Sequence, residues 1–214
     1  TAANVFDYLG VCGDGLSPII FDTDGSIVDD LFGLGASNFI LGFAGPECIT
    51  FVPPEITEGV AVLNGKFVDG IDDFDNPEIP LAEFNGVFIH EFGHYANLDH
   101  SQIGLLEAFD GDPANDDAVA TMFPFLINAT AASTLALDDP VSISTLYPEP
   151  SFASGFGTLV GSVFRGDGTT PFQGAYVIAR QVADPRLAAV GVASGARFFP
   201  FSEGGPPPAE LQGL

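Results

Sequence analysis

The chain contains three histidines, and all of them fall within one eleven-residue stretch, HEFGHYANLDH, from His90 to His100. On a helix, His90 and His94 stand one turn apart on the same side, so both imidazoles reach one metal ion at about 2.0–2.1 Å. His100, six residues further on, would point away from that ion if the helix ran straight. The helix must therefore end and the chain must turn back. Asn97 stands where the turn is needed, and Asn is, after Gly, the residue that best tolerates the left-handed conformation that ends helices. Three neutral imidazoles leave a fourth position for water, the mark of a catalytic zinc rather than a closed structural one.

Glu91, next to the first ligand, is placed to accept a proton from that water, which zinc acidifies towards a pKa of ~7, and to pass it to a leaving amine. The metal polarises the scissile carbonyl in the same step. Two other readings of an HExxH string are an accidental spacing on an ordinary helix and a zinc site without peptidase activity. The third histidine and Asn97 weigh against accident.

The elements that must carry these residues follow from hydrophobic spacing. Leu81, Phe84, Val87, Phe88, Phe92 and Tyr95 recur at intervals of three and four, which predicts a helix from about Pro80 to Ala96, with Pro80 in its first turn and Glu78 and Glu83 at its positive end. Upstream, Ile19 to Phe21, Phe39 to Phe43, Ile49 to Val52 and Val60 to Leu63 read as strands, with loop or a short helix over Leu31 to Asn38. Downstream come a polar connection, Asp110 to Asp117, a tight turn at Met122 to Pro124, and a second helix from about Pro140 to Tyr147, capped by Asp138 or Asp139. Pro148 and Pro150 end that helix and mark a boundary. Beyond it, Gly157 to Phe164, Gly174 to Gln181 and Leu187 to Ser194 read as strands of a small all-β unit that lacks a last apolar run. The expected class is α+β with two units, 1–150 and 151–214.

Charge divides at the same place. The net charge is −24, and residues 1–150 hold 25 acids against the single Lys66, while residues 151–214 hold four acids and four arginines. So acidic a surface disfavours nucleic acid and anionic lipid and favours divalent cations, or simply keeps a secreted protein soluble. No apolar run approaches the ~20 residues that cross a bilayer. Thr1 reads as the start of a processed chain. Cys12 and Cys48 admit a disulfide, the more economical reading for an exported protein, or two buried thiols. Two acidic segments admit either polar turns or calcium sites: FDTDGSIVDD, with Asp22, Asp24, Ser26, Asp29 and Asp30, and DGIDDFDNPE, with Asp69, Asp72, Asp73 and Asp75. Asn128 in NAT matches a glycosylation sequon.

HEFGHYANLDHS resembles the metzincin signature HExxHxxGxxH, with Asn97 in the place of the glycine and Ser101 similar to the matrixin branch. The chain's one methionine, Met122, lies in TMFPF, similar to the matrixin turn of Met, a bulky residue and Pro, here Pro124. That resemblance implies an apolar floor under the ligands and a twisted mixed sheet with an active-site helix and a C-terminal helix. Phe125, where relatives carry a tyrosine, implies no tyrosine ligand. With no histidine left over, a second, structural zinc is expected to be absent. ILGFAGP is similar to the edge strand along which matrixin substrates lie extended, and SISTLYP to the closing helix. Cys12 in VCGDG offers a third reading, a thiolate capping zinc as in latent matrixins. Residues from Gly157 resemble the start of a carboxypeptidase regulatory-like, transthyretin-type β-sandwich, an accessory module. Together these imply a secreted or cell-surface zinc metalloendopeptidase acting on extended peptide or protein substrates, with Zn2+ as cofactor; Ca2+ is a structural ion only on the calcium reading of the acidic segments. The alternative is a non-catalytic surface or filament protein that keeps this scaffold and self-associates through its β unit.

Overall fold

A three-stranded sheet and one long helix form the frame of the candidate site, and a separate two-stranded hairpin follows near the end of the chain. The structure is a computed structural model and describes residues 9–51, 54–72, 74–75 and 77–195. Its class is α+β.

Strand β1 (Ile19–Asp22) pairs parallel to the central strand β3 (Pro54–Asn64), and β2 (Gly42–Phe51) pairs antiparallel to the other side of β3. Ala61, Val62 and Leu63 of β3 are buried in succession, as a central strand covered on both faces requires. Two of the expected strands, Phe39 to Phe43 and Ile49 to Val52, are corrected: they belong to one strand, β2, which begins only at Gly42. Gly45 and Pro46 do not interrupt it, because β2 is an edge strand, where proline leaves no central ladder bond unmade. The irregularity falls two residues later, in the register shifts on either side of Cys48. Val52 lies outside the described residues.

The expected loop after β1 is instead largely helix, α1 (Ser26–Phe32). Its first turn forms because Asp22 Oδ2 accepts from the N–H groups of both Ile27 and Val28 at 3.0 Å. Asp29 Oδ1 in turn accepts from Gly35 and Ser37, and Asp24 Oδ1 from Ser26. In the second acidic segment Asp69 accepts from Ile71 and Asp72 from Glu78. Among the described residues neither segment, with Asp30 and Asp75 included, gathers three carboxylates within 4.8 Å of one another. Asp22, Asp24, Asp29, Asp69 and Asp72 thus organise turns in these segments. Asp73 lies outside the described residues.

Helix α2 (Leu81–Tyr95) matches the apolar spacing, with Pro80 as its N-cap rather than inside its first turn. Glu78 does not sit on the helix end; its carboxylate accepts from Gly70 N–H. Phe84 and Val87 pack with Leu63 in one core cluster, joined by Leu41 and Leu126. Helix α3 (Asp138–Leu146) begins two residues before the expected start, and neither aspartate caps it: Leu137 is the N-cap, without a side-chain cap bond. Both aspartates lie inside the first turn and are buried.

The C-terminal unit departs most from expectation. Of the three strands foreseen, two form, β4 (Tyr176–Arg180) and β5 (Ala189–Ala193), as an antiparallel hairpin. Gly157 to Phe164 contributes only an isolated bridge, Phe164 to Pro171. The hairpin does not stand apart from the first unit, because Ala189, Tyr176 and Ile178 pack with Ile103 and Ala120. Residues 196–214 lie outside the described residues. Cys12 and Cys48 are joined by a disulfide, so neither remains as a thiolate to offer a metal.

Candidate metal centre

The site is built on the last two turns of α2. His90 and His94 project from one side, and His100 returns to them after the chain reverses. The reversal is made by Asn97, the one non-glycine residue with positive φ among those described, at 69°. Asn97 N–H donates to His94 O and Leu98 N–H to Gly93 O, both at 2.8 Å. This is the paired bonding that closes a helix around a left-handed residue. Tyr147, just past α3, adds a hydroxyl bond to Ala96 O at the same corner.

Each of the two helical imidazoles is oriented by a backbone carbonyl. His90 Nδ1 lies 2.8 Å from Thr121 O, and His94 Nδ1 lies 2.8 Å from Leu98 O. A carbonyl only accepts, so both Nδ1 atoms carry the proton and both Nε2 atoms present lone pairs in the neutral ring. Those Nε2 atoms stand 3.0 Å apart, and His94 Nε2 is 3.1 Å from His100 Nε2. All three ligand nitrogens lie within 4.8 Å of one another. Converging lone pairs repel unless a cation lies between them. Two nitrogens at about 2.0–2.1 Å from a tetrahedral ion stand roughly 3.3 Å apart, so the observed spacing fits zinc.

Burial, reinforced by the neighbouring imidazoles, pushes His90 down to about 4, and burial likewise lowers His100. Neutral rings are what a metal requires. Glu91 is 5% exposed, and desolvation pushes its carboxyl up to about 8. Its Oε2 has no hydrogen-bond partner in the protein. A positive charge at the histidine nitrogens favours the ionised form of such a group. The wall over Glu91 is β2, where a Cβ on Gly42 would come within 2.9 Å of Glu91 Cγ. Only a glycine there leaves the carboxylate its place.

Met122, 3% exposed, lies in the buried run Ala118 to Phe123. Its sulfur presses on α2 at Gly93, where any Cβ would overlap it. Met122 O also accepts from Ser101 N–H at 2.8 Å, one residue after His100. Met122 thus supports both arms of the site, in the place where the resemblance implies an apolar floor. Pro124 and Phe125 line the cleft beside it, a space of about 380 Å³ that also holds His90, Glu91, His94 and His100. The cleft runs along the start of β2, which has a hydrogen-bonded neighbour, β3, on one side only among the described strands.

Sequence reasoning did not find Thr121 and Leu98, whose carbonyls orient two of the rings, because a backbone acceptor leaves no residue-type signal. It also gave Asp138 and Asp139 the wrong task. Asp138 Oδ2 accepts from Ser101 Oγ and its Oδ1 from Gly191 N–H, while Asp139 Oδ2 accepts from Ala136 N–H. Two adjacent acids at the start of an apolar helix were the available signal for a buried pair. Compared with family models, curated proteins and solved structures, the chain finds no match.

Proposed function

We propose that the chain is a zinc-dependent metalloendopeptidase, of the metzincin type that the stretch from His90 to Ser101 resembles, acting on extended peptide segments outside the cell. The observation that carries this reading is the convergence of three imidazole nitrogens, two of them with lone pairs fixed by carbonyl partners, beside a buried, unpartnered carboxylate on the wall of a cleft. His90, His94 and His100 would hold the ion. When bound, zinc supplies Lewis acidity, acidifying water and polarising a carbonyl. Glu91 takes the proton from the attacking water as the new C–O bond forms, and returns a proton to the amine nitrogen as the C–N bond breaks. The exposed edge of β2 offers main-chain groups to an extended substrate. The disulfide agrees with a location outside the cell.

Zinc content and cleavage of an unstructured protein test the proposal together. The wild type is expected to hold one zinc per chain and to cleave. Glu91→Gln is expected to keep the zinc and to lose about 10²- to 10⁴-fold in rate. Equal cleavage by the two proteins, or bound zinc with no Glu91-dependent cleavage, refutes the enzyme reading. For the scaffold alternative, one face of the hairpin is covered by Ile103 and Ala120 of its own chain, while Val177 and Val192 on the paired strands are exposed.

A further inference from the structure

His100 is the one ring of the three that no helix holds, for residues 98–102 carry no regular structure. What fixes it is the residue after it. Ser101 is 2% exposed, and its hydroxyl donates to Asp138 Oδ2 at 2.8 Å and accepts from Ile103 N–H at 3.3 Å. The Tyr176 hydroxyl lies 2.9 Å from the same oxygen. Because the serine proton is directed at the carboxylate, the tyrosine must be the donor, and Ser101 Oγ then uses its one proton and both lone pairs.

Both far partners lead to the C-terminal hairpin. Tyr176 opens β4, and Asp138 holds its other oxygen on Gly191 N–H of β5 at 2.7 Å. Gly191 has no space for a Cβ, because the Tyr176 hydroxyl occupies it. Arg186, between the strands, reaches Asp117 at 3.3 Å, on the same connection that leads from His100 to Met122.

We propose that the hairpin β4–β5 is a positioning brace for the third metal ligand, with Tyr176 acting through Ser101 to aim His100 at His90 and His94. This rests on the metal centre proposed above. Tyr176 is a positioning residue and not a ligand. A buried network of this kind is satisfied only when every member is present, so removing the Tyr176 hydroxyl leaves Ser101 Oγ one partner short and loosens the side-chain half of the link to the neighbouring ring, while Met122 O still holds Ser101 N–H. An accessory module would leave the metal unaffected; this hairpin does not.

The test uses the full chain loaded with cobalt(II) in place of zinc, comparing the wild type with Tyr176→Phe, Ser101→Ala and their double variant. Metal affinity is read by chelator competition and ligand geometry by the visible absorption of cobalt. Tyr176→Phe is expected to weaken binding about tenfold, as loss of outer partners of a metal site does, and to alter the cobalt spectrum. The double variant is expected to lose no more than Ser101→Ala alone, since both act through one link. Gly191→Ala, which displaces the tyrosine hydroxyl, is expected to reproduce the Tyr176→Phe spectrum. A Tyr176→Phe protein that is less resistant to urea but has the wild-type affinity and spectrum overturns the proposal, leaving only a structural brace. A wild type that takes up no cobalt overturns the metal centre itself, a separate outcome.

Discussion

Replacing Asn97 isolates the part of this site that the backbone alone controls. The residue sits at φ 69° on an exposed corner, so its substitution changes conformational cost with little loss of packing. An L-residue other than Asn or Asp pays about 1–2 kcal/mol to hold that conformation, whereas Gly holds it freely. Asn97→Ala should therefore cost about 1 kcal/mol, and Asn97→Val about 2 kcal/mol because its branched Cβ adds crowding. Asn97→Gly should fall within about 0.5 kcal/mol of the wild type, relief in the folded state being offset by greater freedom in the unfolded one. With a urea slope of roughly 2–3 kcal/mol per molar, the alanine variant shifts its unfolding midpoint by roughly 0.3–0.5 M. The measurement is urea unfolding with a chelator present, repeated with excess zinc. Zinc should widen the differences in the same order, because Leu98 both closes the turn on Gly93 O and holds His94 through its own carbonyl. An alanine variant as stable as the wild type, or a glycine variant less stable than the alanine one, refutes the reasoning.

Asp139 gives a pH dependence whose sign follows from burial. Desolvation raises it from the ordinary 3.8 to about 6, so the folded state holds its proton more tightly than the unfolded chain. The ionised, destabilised form prevails above pH 6, the cost is relieved as pH falls through 6, and the gain is complete below 3.8. Between pH 7.5 and 5 the wild type should gain about 1.4 kcal/mol relative to Asp139→Asn, read as the difference in urea midpoints; a difference that stays flat or has the opposite slope rejects this account. The Cys12–Cys48 bridge spans 36 positions, which predicts a loss of about 3–4 kcal/mol for the double serine variant. A thermal midpoint unchanged in that variant would show that the reduced loop is already restrained.

The helix, its terminus and three ring positions were legible before any coordinates because they are local. Spacing of three and four places Phe84 and Val87 inward and His90 and His94 on one side, and a turn must follow if His100 is to return. Asn97 was readable for the same reason: left-handed backbone has few tenants. Met122 was readable only through the resemblance of TMFPF to the matrixin turn, since by type alone it is a core-filling methionine. Strand ends were not, because an edge strand tolerates Gly45 and Pro46 that would break a central one, and edge or centre is decided by neighbours remote in sequence. The acidic segments left two readings open for a related reason. A carboxylate looks the same whether it faces a cation or the N–H groups of a turn, and Asp22 and Asp29 face N–H groups.

The long-range bonds needed the fold. Asp138 lies 37 positions from Ser101, Tyr176 lies 75 positions from it, and Glu91 is covered by Gly42 of a different element. Residue type and spacing define which nitrogens can meet on a metal, since those relations span one or two helical turns. Which carboxylate is desolvated, which carbonyl orients a ring and which distant hydroxyl steadies the third ligand depend on packing between elements, where sequence separation carries no distance.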